Sequence, residues 1–118
     1  MRPQPAAVAQ HVLVLAARIL QRVGEDGHAV ERALAHIDQH FTRKLPMAEV
    51  ADAAGISASA LARQFRRGTG KTFVAYVNEL RLRRACQLLL ESDEGLARIA
   101  ELAGFPSVSY FCRRFLRE

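Results

Sequence analysis

The chain is poor in the residues that staple, span or catalyse. Its 118 residues hold only two cysteines, Cys86 and Cys112. They form neither a CxxC pair nor a zinc-ligand spacing, so they read as reduced thiols in a cytosolic protein. The longest apolar run, Val12 to Ala17, falls far short of the ~20 residues that a membrane helix needs. Arg2 ahead of an apolar stretch resembles a secretory leader, but Gln10 and His11 interrupt it and Arg18 follows without a cleavage site. A cytoplasmic protein with no membrane partner is expected. No segment alternates apolar and polar residues as a half-buried strand does, which leaves helix as the regular structure.

Catalytic and ligand chemistry is equally sparse. No Ser-His-Asp set and no paired carboxylates can be argued, so the chain reads as a non-enzyme. Gly70-Lys71-Thr72 matches the end of a phosphate-binding loop, yet Phe65 stands where that motif requires glycine, and no strand precedes it. His36 and His40 lie one helical turn apart, but no carboxylate or cysteine is evidently placed to complete a metal shell. Cys112 beside Arg113 suggests a redox switch; a small residue tolerated near the groove is the better reading. No cofactor and no metal are expected.

What the chain has is positive charge and helical periodicity. The formal net charge is +5 and the pI about 10.0, a balance that favours polyanionic partners. The charge is local. Arg63, Arg66, Arg67, Lys71, Arg81, Arg83 and Arg84 face the single acid Glu79 in that stretch, while acids gather at Glu25-Asp26, Glu49, Asp52 and 91–94. Residues 1–5 read as disordered. Val8, Val12, Leu15, Ile19 and Val23 recur at steps of three and four and predict a helix over about 6–23. Leu13, Val14 and Leu20 widen its stripe, making it a candidate remnant of a regulatory domain, a homodimerisation helix or a lid. Gly24 to Gly27 breaks the chain. A second helix over about 29–41 aligns Val30, Leu34, Ile37 and Phe41.

Beyond Pro46 the chain writes one pattern twice. Val50-Ala51-Asp52-Ala53-Ala54-Gly55-Ile56 is answered forty-nine positions later by Ile99-Ala100-Glu101-Leu102-Ala103-Gly104-Phe105. Ser59-Ala60-Leu61-Ala62-Arg63-Gln64-Phe65 is answered fifty positions later by Ser109-Tyr110-Phe111-Cys112-Arg113-Arg114-Phe115. A repeat of this period implies one supersecondary unit used twice: a short helix, a glycine turn and a second helix, the build of a helix-turn-helix. The first unit is predicted at about 47–67, with Gly55 as left-handed turn residue and Ser57 as N-cap. Gly68-Thr69-Gly70-Lys71 should break the chain, and Thr72 should open a linker helix to about 90, burying Phe73, Tyr76, Leu80, Leu88 and Leu89. The second unit is predicted at about 95–117. The fold class is all-α: two helix-turn-helix units, a long linker helix and an extra N-terminal helix.

On the second helices, Leu61 and Phe65, and likewise Phe111 and Phe115, share an inward face. Ser59, Ala62, Arg63 and Arg66 face outward, as do Ser109, Cys112, Arg113 and Leu116. Small residues permit close approach to a major groove, and an arginine can reach a guanine edge or a phosphate. Successive major-groove segments lie about 34 Å apart, and a linker of on the order of 28 Å can hold two readers near that separation. A shorter linker would bend the DNA at a cost of order 1–6 kcal/mol.

These residues resemble the AraC/XylS family of transcriptional regulators, over roughly Val30 to Arg117. The specific core is Ile99-Ala100-x-x-Ala103-Gly104-Phe105-x-Ser107-x-Ser109-Tyr110-Phe111-x-Arg113-x-Phe115, supported by Leu61-x-Arg63-x-Phe65-Arg66-x-x-Thr69-Gly70 and Arg81-Leu82-x-x-Ala85-x-x-Leu88-Leu89. The resemblance implies a DNA-binding domain at 29–118 behind an extension at 1–28, with recognition helices in successive major grooves of double-stranded DNA. It implies base-facing roles for Ser59, Ala62, Arg63, Ser109, Cys112 and Arg113. Phosphate contacts are expected from Arg66, Arg67, Lys71, Arg114 and Arg117, and from amides near Ser57, Thr72 and Ser107.

Departures from the family pattern bear on the second unit. The pattern continues past Glu118 through a glycine, a proline and a further short helix, so the inner face of the last helix is expected to lose cover. Leu116 replaces a usual cation. The alanine-rich first reader (Ala58, Ala60, Ala62) offers few donors, and suits thymine methyls or affinity more than sequence choice. The expectation is a sequence-specific transcription regulator; the alternative is a relative that contacts RNA polymerase or another regulator without reading DNA.

Overall fold

The structure, a computed structural model, describes residues 10–14 and 28–117. Residues 10–14 are helical; the rest of the expected 6–23 helix, with its dimerisation stripe, and the 24–27 break lie outside the described residues. Six helices follow: α1 (Ala29–His40), α2 (Met47–Ala54), α3 (Ala58–Thr69), α4 (Phe73–Glu91), α5 (Leu96–Ala103) and α6 (Val108–Arg117). No strand occurs among the described residues. The all-α expectation holds.

Two compact units divide the chain. Unit 1 combines the chain through His36 with Met47–Phe73, and unit 2 combines Ile37–Pro46 with the chain from Val74 onward. The expected long helix, α4, follows the first helix-turn-helix and precedes the second; unit 1 keeps only Phe73 of it, and the remainder packs with unit 2, as does the last turn of α1. A helix whose one face carries Val77, Leu82 and Ala85, all buried, gains more by packing there than by spanning water.

Unit 1 buries Val30, Ala33, Val50, Ala51, Ala54, Leu61 and Phe65. Phe73 meets Phe65 edge-on, with ring centroids 6.1 Å apart. Gly68 does not break the chain as expected. It lies inside α3, where an added Cβ would stand 3.3 Å from Val30 Cγ1, so this glycine serves close approach to α1. The helix stops at Gly70, whose φ of 77° is cheap for glycine and whose amide donates to the Arg66 carbonyl. Arg32 on α1 donates through Nε and Nη2 to the carbonyl of Ala54, the last residue of α2, complementing the negative end of that helix. His36 is not left without a carboxylate, as the spacing implied. Its Nε2 lies 2.7 Å from Glu49 Oε2, joining α1 to α2. No group of three or more His, Cys, Asp or Glu that could hold a metal exists among the described residues.

Unit 2 builds its core from Leu82, Ala85, Ile99, Ala100, Ala103, Phe105 and Phe111, with Leu88, Tyr110 and Cys112 packed against it. Two apolar expectations fail here. Leu89 is exposed and so is neighbouring Leu90. Leu90 points away from the stripe of Val77, Leu82 and Ala85, whereas Leu89 shares their face but stands in the last turn of α4, beyond Ala85, the last buried position of the helix. Phe115 is 42% exposed; it sits in the last turn of α6, with the Phe111 ring edge-on at 5.7 Å.

Arg81 also departs from expectation. By sequence it belongs to the basic field, yet its Nε donates to the Phe41 carbonyl and its Nη2 to the Arg43 carbonyl, each at 2.7 Å. Burial lowers its pKa from the ordinary arginine value. Nearby, the α5–α6 turn presses on the same strip of backbone. Gly104 has φ of 100°, and a Cβ there would stand 2.4 Å from the Phe41 carbonyl oxygen. Arg83 is paired as well, donating to Glu79 at 2.7 Å.

Candidate nucleic-acid interface

Each unit presents its second helix in the same way, for the same local reasons. Both turns close with paired backbone bonds: Ile56 N to Ala51 O and Gly55 N to Asp52 O in unit 1, Phe105 N to Ala100 O and Gly104 N to Glu101 O in unit 2. Both are the left-handed glycine termination that satisfies helix-end carbonyls. The following helices are capped by serines at matching positions. Ser57 Oγ accepts from Ala60 N at 3.1 Å, and Ser107 Oγ accepts from Tyr110 N at 3.0 Å. These hydroxyls hold the helix starts, leaving the remaining first-turn amides to face an anion.

The exposed stripes differ in detail. On α3, Ser59, Ala62, Arg63 and Arg66, the predicted outward face, are all exposed, and so is Arg67. On α6, Ser109, Arg113 and Arg117 are exposed, whereas Cys112 and Arg114 are half-buried. Cys112 packs on the unit 2 core, so it sits at the edge of the stripe and not at its crest. Lys71 is half-buried, and Ser57, Thr72 and Ser107 are exposed. Leu116 is 84% exposed, on the outward face where its position in the helix puts it. A shallow groove of about 430 Å³ runs along α6, lined by Tyr110, Arg113, Arg114, Leu116 and Arg117.

Two side chains that sequence reasoning passed over shape this surface. Asn78 is buried on α4 and donates to the Tyr110 hydroxyl at 3.0 Å. The guanidinium carbon of Arg113 stands 5.8 Å from the centre of the Tyr110 ring. A polar residue in the apolar stripe of a helix was the available signal, since a buried amide needs a partner.

A helix-turn-helix domain model matches residues 50–118. The chain is 31% identical over 107 residues to the xylose operon regulatory protein of Escherichia coli K12, covering 86% of this chain and 27% of that protein. It is 32% identical over 107 residues to the HTH-type transcriptional activator RhaS of Citrobacter koseri, covering 91% of this chain and 38% of that one. It thus spans well under half the length of these curated relatives. Among solved structures, the DNA-binding domain of AdpA, a global transcriptional factor in complex with a target DNA, superposes with a TM-score of 0.72 at 25% identity. That match covers 75% of this chain and 80% of the other. With the paired turns, the matching serine caps and the family pattern together, the chain belongs to the AraC/XylS family of helix-turn-helix proteins.

Proposed function

We propose that residues 29–118 are the sequence-reading domain of a transcription regulator, with α3 and α6 entering successive major grooves of double-stranded DNA. The observation that carries the reading is the matched pair of capped helices, each with an exposed serine and arginine one turn apart (Ser59 and Arg63, Ser109 and Arg113). The regulators it resembles, and the DNA bound to AdpA, support it. Ser59, Ala62, Arg63, Ser109 and Arg113 face the bases, with Cys112 at the edge. Arg66, Arg67, Lys71, Arg114 and Arg117 take phosphates, as do amides near Ser57, Thr72 and Ser107. On this reading the protein works in the cytoplasm on nucleoid DNA and catalyses nothing.

Mobility shift on genomic fragments at two salt concentrations tests it. The expected result is a sequence preference that survives competitor DNA and an affinity that falls steeply with salt. If no fragment is retained at low salt, the DNA reading is wrong, and a partner-contacting protein, with RNA polymerase as the candidate, takes its place.

A further inference from the structure

The reading arginine of unit 2 is held by a relay whose members are absent from the matching positions of unit 1. Asn78 is 2% exposed, and its Nδ2 donates to the Tyr110 hydroxyl at 3.0 Å. Tyr110 is half-buried, with its ring 6.2 Å from that of Phe105 in the unit 2 core. The Arg113 guanidinium lies 5.8 Å from the Tyr110 ring centre, within the ~6 Å over which a cation is drawn to an aromatic face. A buried position on α4 is thus linked through one amide and one ring to an exposed cation. In the repeat register, Ala29 stands for Asn78, Ala60 for Tyr110 and Arg63 for Arg113. The arginine recurs, whereas a methyl group replaces both the hydrogen-bonding amide and the ring.

Placing an amide in the core costs stability unless it bonds, and here its bond fixes the tyrosine hydroxyl. Holding a long cationic side chain before the ligand arrives removes part of the ordering cost of binding. We propose that Asn78 and Tyr110 are positioning residues that preorganise Arg113, so that unit 2 supplies most of the sequence discrimination. This rests on the DNA reading above.

The test has two arms. In the free protein, side-chain NMR of the arginine Nε–H groups should find Arg113 more ordered than Arg63, with its δ-methylene shifted by the ring current. Tyr110→Leu should abolish both differences, and Tyr110→Phe should keep the shift. In the second arm, binding is measured to the preferred sequence and to a scrambled one. Tyr110→Leu should lose about three- to tenfold on the preferred sequence alone, and nothing further in an Arg113→Ala background. Tyr110→Phe should retain most of the discrimination, and Asn78→Ala should fall between the two. The proposal is overturned if Arg113 is as mobile as Arg63 in the free protein, or if Tyr110→Leu costs as much with Arg113 absent. If the wild-type chain retains no DNA while Arg113 is still ordered, the DNA reading has failed and the discrimination role fails with it.

Discussion

Phenylalanines fifty positions apart end the repeated pattern in each unit, yet Phe65 is fully buried and Phe115 is 42% exposed. The turn glycines differ in the opposite sense. An added Cβ at Gly55 would meet only Arg32 Nη2, at an ordinary contact distance of 3.7 Å, whereas one at Gly104 would collide with the backbone of Phe41 and Thr42, at under 3 Å. Unit 1 closes its core through side chains along the whole of α3. Unit 2 is open at the far end of α6 and tight at its turn, where backbone lies on backbone. The same repeat therefore supports two distributions of stability, and the matching positions measure the difference.

Phe65→Ala should cost about 3–5 kcal/mol, as for other buried aromatics, while Phe115→Ala should cost about 1 kcal/mol or less. Urea unfolding of both variants checks this, and equal losses would show that Phe115 closes a core in solution. Gly104→Ala adds the penalty of a positive φ to a backbone collision and should cost about 3 kcal/mol. Gly55→Ala carries the conformational penalty alone, about 1 kcal/mol. Reversal of that order would remove the distinction between the turns.

Arg81→Ala should come next, at about 1.5–3 kcal/mol, because two carbonyls lose a charged donor. Arg32→Ala strips one carbonyl and should cost less; amide exchange in α2 and in the last turn of α1 would separate the two. The smallest effect is electrostatic. Partial burial raises the Asp38 pKa above its ordinary value, so the folded state disfavours the carboxylate. That penalty is absent below the unfolded pKa and develops as pH rises through the folded one. Asp38→Asn should therefore raise the melting temperature slightly at pH 7 and leave it unchanged near pH 3.

Much of the architecture was legible because it is local. The α2 bounds, the glycine turns and the serine caps depend on residues within one helical turn of each other, so the repeat exposes them. What escaped depends on distant partners. Gly68 reads as a breaker until Val30 is seen against it, and Arg81 reads as surface charge until its carbonyl partners, 38 and 40 positions away, are in place. The repeat also extends further back than its apolar pattern. Arg32 and Arg81 stand forty-nine positions apart, one in α1 and one in α4, and each donates to backbone carbonyl oxygen at or just beyond the end of another helix. Apolar periodicity is blind to that correspondence, since it registers an arginine only as a polar position.

The capping role of Arg81 separates two quantities that a charge count merges. A guanidinium remains protonated in a protein, so Arg81 still adds to the long-range potential that draws a polyanion toward the surface. With Nε and Nη2 committed to backbone carbonyls and the side chain half-buried, it is expected to neutralise no phosphate and so to add nothing to the counterion release that sets the salt dependence of the equilibrium constant. The association rate and the binding constant should therefore count different numbers of arginines on this one small domain.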